Sequence, residues 1–245
     1  MQLLIVSTST VHGQPYLSYL LGEIGQFFEG KERVLFIPYA RPSGISHDAY
    51  TAKAKEVFDN LGLEVRGAHT FPDAVAAANW AQGFFTGGGN TFLLLKMLYE
   101  TGLYDAIDAR VRAGVPYMGT SAGCNVCGLT IGTTNDMPIV HPATLKAFGW
   151  VPFNLNPHYI DPLPDSTHMG ETRETRIAEF HHFNGQPVLG LREGSWLRAD
   201  GPHRQLKGPF TARWFQAGRA PKELEPGFPQ ELQGHWSDQA SGNGN

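Results

Sequence analysis

The chain has 245 residues, of which 41% are hydrophobic, and carries a formal net charge of −4. That length suits one α/β domain or two small ones, with enough apolar side chains for a sizeable core. The negative balance and the lack of any Lys/Arg cluster argue against nucleic acid as a partner, and no apolar run approaches the roughly 18 residues a membrane helix needs.

The elements alternate along the first half. QLLIVSTS, from Gln2, is an apolar run of strand length with no basic region before it, so it reads as a first strand and not as a signal peptide. PYLSYLLGEIGQFF has helical periodicity, RVLFIPYA is a second strand, and SHDAYTAKAKEVFDNLG is a second helix stopped at Gly62. EVRGAH, PDAVAAANW and GFFTGG continue the alternation; NTFLLLKMLYETG and YDAIDARVRAG are helical, and VPYMGTS is strand again. Apolar strands alternating with helices predict an α/β fold with a mostly parallel sheet flanked by helices. After about Thr130 the pattern changes: PVLGLR, SWLRAD and TARWFQAG follow with little helix between, which predicts an antiparallel C-terminal extension. No linker or repeat interrupts the chain, so residues 1–236 are read as a single domain and 237–245 as a disordered tail.

The strongest chemical signal is Gly119-Thr120-Ser121-Ala122-Gly123, a G-x-S-x-G between a strand and a helix-like stretch. A sharp strand-to-helix turn lifts such a serine out at the carboxyl edge of a sheet, and the next amide, Ala122 N–H, faces any oxyanion formed there. The run Thr86-Gly87-Gly88-Gly89-Asn90-Thr91 also joins a strand to a helix. Its glycines, Gly88 and Gly89 in particular, expose backbone N–H groups that can supply a second oxyanion donor; the spacing is not that of a nucleotide-binding loop. A general base for Ser121 must be one of ten histidines. His69, His181, His182, His203 and His235 have no special context. His158, in Asn154-Leu155-Asn156-Pro157-His158, follows a strand end and is favoured over His141. Two carboxylates compete for the third position, Asp136 after Thr133-Thr134-Asn135 and Glu193 at the end of PVLGLR. Cys124 and Cys127 form a C-x-x-C without a thioredoxin-like context or a second ligand pair, so neither redox chemistry nor zinc is expected. Two cysteines imply no disulfide framework and fit a reducing cytoplasm. No metal or cofactor is implied.

Taken in order, GGGNTF–LLK, G-x-SAG-x-N, TTNDMPIV, NPH, GETRE–RI and EGSW resemble the aspartyl dipeptidase (peptidase E) family of serine peptidases, and LLIVSTST, VLFIPYA and HDAYTAK are similar too. The resemblance implies a fold like that of class I glutamine amidotransferases. It implies Ser121 as nucleophile and His158 as base, with Asp136 or Glu193 as the acid. It further implies hydrolysis of dipeptides with an N-terminal aspartate, a small peptide substrate whose side chain needs a cation. Arg173 matches the family arginine for that task, with Arg176 one turn on as its decoy; Glu171, which either helps hold the substrate ammonium or simply favours the helix N-terminus, and Asn90 complete the expected substrate-binding set. Two positions depart from the pattern: Thr120 stands where the family often has Trp, and Cys124 where Ala is usual. Competing readings are a cyanophycinase-like hydrolase, an α/β-hydrolase esterase, which places its histidine near the end of the domain, and a non-catalytic binding protein, which would be expected to lose a triad member. No H-E-x-x-H occurs to suggest a metallopeptidase. The sequence sets no oligomeric state.

Overall fold

A computed structural model describes residues 1–162 and 170–233. The tail read from Ser237 onward and His235 lie outside the described residues. The elements are β1 (Gln2–Val6), α1 (Leu21–Phe27), β2 (Arg33–Ile37), α2 (His47–Asp59), β3 (Glu64–Gly67), α3 (Ala74–Trp80), β4 (Gly83–Thr86), α4 (Thr91–Glu100), α5 (Leu103–Arg112), β5 (Tyr117–Thr120) and α6 (Ala122–Asn125). They continue with β6 (Asn154–Pro157), α7 (Arg173–Phe183), β7 (Val188–Leu191), β8 (Trp196–Asp200), β9 (His203–Lys207), β10 (Ala212–Phe215) and β11 (Lys222–Leu224). Helix starts follow the capping chemistry written in the sequence: the side chains of Ser46, Asp73, Asn90 and Thr172 accept N–H groups of the first turns of α2, α3, α4 and α7.

A seven-stranded sheet runs in the order β3-β2-β4-β5-β1-β8-β9. Its first five strands are parallel, and β8 turns antiparallel against β1, with Val6 opposite Trp196. The parallel strands are buried on both faces, and alternate residues serve different helices. Leu3, Ile5, Leu35, Ile37 and Phe84 pack with Ala77, Leu94, Leu98, Ile107 and Val111 of α3, α4 and α5. Leu4, Val6, Val34, Phe36 and Phe85 pack with Ile24, Phe27, Ala54 and Phe58 of α1 and α2. Among the described residues, no helix is long and apolar enough to cross a membrane.

The expected antiparallel C-terminal extension is present and is divided between two sheets. SWLRAD, as β8, does extend the main sheet, but PVLGLR and TARWFQAG, as β7 and β10, join β6 and β11 in a separate four-stranded sheet of order β11-β10-β7-β6. The turn between β7 and β8 makes the division: Gly194 sits at φ 85°, and the Ser195 N–H bonds back to the Arg192 carbonyl at 3.1 Å, which reverses the chain at once. In the smaller sheet β6 and β7 are parallel. Leu155, Leu189, Leu191 and Trp214 of this sheet belong to the same buried cluster as Leu3 and Leu94, so the two sheets share a core.

Arg192 fastens the outer side of the smaller sheet. Its guanidinium grips Asp161 through two bonds of 2.8 and 2.7 Å and Glu223 through two more of 2.9 and 3.0 Å, and Arg213 adds a 3.0 Å bond to Glu223. Donation from Arg192, with help from Thr211 and Arg213 and against the cost of burial, holds the Glu223 carboxyl down at about 2. A depressed carboxyl contributes stability above its unfolded value of 4.5 and loses it as pH falls toward the folded value. Thermal melts should therefore show Glu223→Gln below the unmodified chain by a constant margin at pH 5–7. That margin should shrink as pH falls from 4.5 toward 2.

Candidate active site

The parallel strands end on one edge, and the turn between β5 and α6 stands at its centre. Ser121 occupies that turn at φ 54° and ψ −109°, a sparsely populated conformation that costs about 1–3 kcal/mol for a residue with a Cβ. Three contacts hold it there. Its N–H donates to the Val6 carbonyl at 3.1 Å, its own carbonyl accepts the Asn125 N–H at 2.9 Å, and the flanking glycines let the backbone close in. A Cβ on Gly119 would lie 2.1 Å from the Gly123 carbonyl oxygen, and one on Gly123 would lie 2.4 Å from that of Thr86. The glycines of this motif serve close approach between strand and helix; the unusual torsion angle belongs to the serine.

His158, the residue after β6, reaches the same place. Its Nε2 lies 2.9 Å from Ser121 Oγ and its Nδ1 lies 2.6 Å from Glu193 Oε1. It too has a positive φ, 53°. Glu193 lies on the turn between β7 and β8 with half of its side chain exposed, and the imidazole is one-third exposed. A hydroxyl, an imidazole and a carboxylate in line can pass the hydroxyl proton to the imidazole and steady the cation that results.

The glycine loop after β4 closes over the serine. A Cβ on Gly88 would lie 2.9 Å from Ser121 Cβ and 3.4 Å from its Oγ, so the Gly88 backbone rests directly against the hydroxyl-bearing residue. The loop is held from behind: the Tyr50 hydroxyl donates to the Gly88 carbonyl at 3.1 Å, and Gly89, at φ 147°, packs on the Ala40 carbonyl so closely that a Cβ would come to 2.2 Å. Among the described residues, neither the Gly88 nor the Gly89 N–H has a backbone acceptor. With the Ala122 N–H at the start of α6, these amides are the candidate oxyanion donors beside Ser121.

Asp136 is not placed on the histidine. Its Oδ2 accepts the Thr91 N–H at 2.7 Å, the Thr91 hydroxyl at 2.6 Å and the Thr134 hydroxyl at 3.2 Å, which makes it a carboxylate cap on the N-terminus of α4. Its loop is tied to β6, since Thr133 Oγ1 donates to the Leu155 carbonyl and Asn135 Nδ2 to that of Pro157. Asn90 has both ends of its amide engaged, with Leu93 N–H and the Met137 carbonyl. Arg173, the first residue of α7, is partly buried and has no hydrogen bond or ion pair among the described residues. Burial lowers its guanidinium from the ordinary value, Arg176 adds to that, and the charge of Asp136 opposes it. Glu171 lies 3.8 Å from Arg176 rather than on Arg173.

The other sequence candidates fall away from this line. His141 is exposed on its loop. Cys124 and Cys127 are free and fully buried, and burial pushes both thiols upward, which leaves neither fit to attack a substrate. Thr120 is fully buried, so its departure from the family pattern acts on packing beneath the turn and not on an open wall. Among the described residues, no three His, Cys, Asp or Glu side chains are grouped to hold a metal ion. Sequence reasoning missed Thr91 and Tyr50, whose roles come from contacts far along the chain; only their positions inside the matched blocks could have drawn notice.

Comparison with known proteins adds independent information. A family model described as peptidase family S51 matches residues 3–207. Peptidase E of Streptomyces coelicolor is 49% identical over 227 residues, covering 93% of this chain and 92% of the relative. A probable alpha-aspartyl dipeptidase of Drosophila melanogaster is 45% identical over 227 residues, covering 91% and 93%. Among solved structures, a peptidase from an acI-B1 Actinobacterium superposes with a TM-score of 0.68 at 20% identity, over 91% of this chain and 93% of its own. A putative peptidase E protein from Listeria monocytogenes gives 0.65 at 21%, over 85% and 98%. These two likenesses bear on the fold.

The partners of Asp136 lead to an expected division of effects. Asp136→Ala should lower the unfolding free energy by about 1–2 kcal/mol, as removal of a helix cap does, measured by urea denaturation. Glu193→Gln, at a half-exposed turn, should leave the urea midpoint within about 0.5 kcal/mol of the unmodified chain. The buried thiols should resist a thiol reagent in the native protein and react in urea.

Proposed function

The chain belongs to peptidase family S51, and on that premise we propose that it is a metal-independent serine dipeptidase that removes the N-terminal aspartate of Asp-X dipeptides. The observation that carries the reading is the line from Ser121 Oγ through His158 to Glu193, at 2.9 and 2.6 Å. The names of the Streptomyces and Drosophila relatives support the substrate class. Buried free thiols at Cys124 and Cys127 accord with a cytoplasmic location, and the core shared by the two sheets supports treating 1–236 as one domain.

In this reading Ser121 Oγ attacks the carbonyl of the aspartyl residue while His158 Nε2 takes its proton. Glu193 accepts a hydrogen bond from Nδ1–H and stabilises the imidazolium. The tetrahedral oxyanion sits among the N–H groups of Gly88, Gly89 and Ala122. Collapse breaks the peptide bond, and His158 returns the proton to the departing amine. Water, activated by the same histidine, then hydrolyses the acyl-serine ester. Asp136 supports α4 and adds negative charge near Arg173, taking no part in proton transfer. Arg173 has no carboxylate partner of its own among the described residues, which suits it to bind the substrate side chain. Glu171, paired loosely with Arg176 at 3.8 Å, takes the substrate ammonium.

Ser121→Ala should fold normally and lose on the order of 10³–10⁶ in kcat, since proton transfer and covalent attack act as one unit. An Arg173 charge left unpaired in the complex costs about 3–5 kcal/mol, so Asp-Leu should be cleaved two to four orders of magnitude faster in kcat/KM than Ala-Leu or Asn-Leu. Arg173→Met should remove that preference while Ser121 still reacts with a small activated ester. Equal kcat/KM for Asp-Leu and Ala-Leu would sink the aspartyl assignment and leave a serine hydrolase of another specificity.

A further inference from the structure

The three groups of the proposed triad come from separate parts of the chain, and Val6 and Ser7 bond two of them directly and the third through the residues that flank it. Val6, at the end of β1, accepts the Ser121 N–H at 3.1 Å. Ser7, the next residue, is fully buried. Its hydroxyl accepts the His158 N–H at 2.9 Å and donates to the Leu191 carbonyl at 2.7 Å. Its own N–H donates to the Ser195 carbonyl at 3.2 Å. Leu191 and Ser195 stand two residues before and two residues after Glu193, so Ser7 grips the glutamate turn on both sides.

A hydroxyl has one proton and two acceptor sites, and Ser7 spends the proton on Leu191 and an acceptor site on His158. The second bond falls where it matters. His158 holds φ 53°, a conformation that a residue with a Cβ leaves when nothing restrains it. The Tyr159 N–H, bonded to the Leu191 carbonyl at 3.2 Å, restrains the far side of the same turn. An apolar residue at position 7 would fill the space but leave the His158 N–H and one Leu191 lone pair unpaired, and the backbone of His158 would be free to rotate its ring away.

We infer that Ser7 is a positioning residue: through its hydroxyl it fixes the backbone of His158 and the turn of Glu193 relative to Ser121. The inference rests on the serine dipeptidase reading. The hydroxyl touches no substrate. Its effect is geometric, and it falls on turnover rather than on substrate affinity, because Arg173 and the glycine amides are anchored elsewhere.

The test compares the unmodified chain with Ser7→Ala and with Ser7→Cys, which keeps the volume but bonds weakly, using Asp-Leu as substrate. Both variants should lose about 100-fold in kcat, the cost of a misplacement near 1 Å, with KM changed less than about threefold. The melting temperature should fall by roughly 2–8 °C, as expected for two buried hydrogen bonds. The downfield proton NMR signal of the imidazole N–H bonded to Glu193 should shift or broaden in both variants, which a loss of stability alone would not produce. If Ser7→Ala does not fold, Ser7→Cys carries the same comparison. Wild-type kcat and an unmoved imidazole signal in a folded variant would overturn the role of Ser7 while leaving the dipeptidase reading intact. Absence of Asp-Leu cleavage by the unmodified chain, or full activity of Ser121→Ala, would overturn the parent reading and this inference with it.

Discussion

The hydrogen bond between His158 Nε2 and Ser121 Oγ crosses from one sheet to the other. Ser121 stands at the end of β5 in the seven-stranded sheet, and His158 follows β6 in the four-stranded one. The 2.9 Å separation holds only while the two sheets keep their relative position. That position is set by side chains remote from the chemistry: Leu155, Leu189, Leu191 and Trp214 on one side, Leu3, Ile5 and the helices α4 and α5 on the other. Close-packed interiors transmit small displacements rather than absorb them. A cavity opened in this shared cluster would therefore be felt at the site as well as in stability.

Much of the main sheet was legible because its signals are local. Apolar runs of strand length, capping residues such as Ser46 and Asp73, and the G-x-S-x-G turn each act within a few residues of where they are read. The division of the C-terminal strands was not legible in this way. PVLGLR and SWLRAD look alike as short apolar strands, and a reversal at Gly194 sends them into different sheets. The same limit applied to the two carboxylates. Asp136 lies in the more prominent block, yet its partners, Thr91 and Thr134, bind it to a helix start; Glu193 sits on an exposed turn and meets His158. Which carboxylate faces the imidazole depends on where two separate chain segments land, and neither segment records that by itself.

Both ends of the central hydrogen bond are held in strained backbone. Ser121 and His158 have φ of 54° and 53°, and with Leu17 they are the non-glycine residues of positive φ among those described. At about 1–3 kcal/mol each, the two would be expected to relax if their surroundings allowed it. Neither can be replaced by glycine without losing the side chain the site requires. The strain is therefore offset by backbone hydrogen bonds, with the Val6 carbonyl on Ser121 and the Ser7 hydroxyl on His158. Both restraints come from the end of β1, a central strand covered by helices on both faces.

The environments of the two acidic groups also explain how one fold can use carboxylates for different ends. Asp136 accepts three bonds through one oxygen, Oδ2, one of them from a backbone N–H at a helix N-terminus, and so caps α4. Among the described residues none of its bonds goes to the imidazole. Glu193 meets His158 through one oxygen at 2.6 Å, from a half-exposed side chain on a turn. A half-exposed carboxylate held by that bond can adjust to the ring it meets. Arg192, the residue before it, is locked to Asp161 and Glu223, so the backbone beneath Glu193 stays still while the side chain adjusts. Firm backbone under an adaptable carboxylate suits the hydrogen bond to the imidazole, and the fold builds it from the same turn that separates its two sheets.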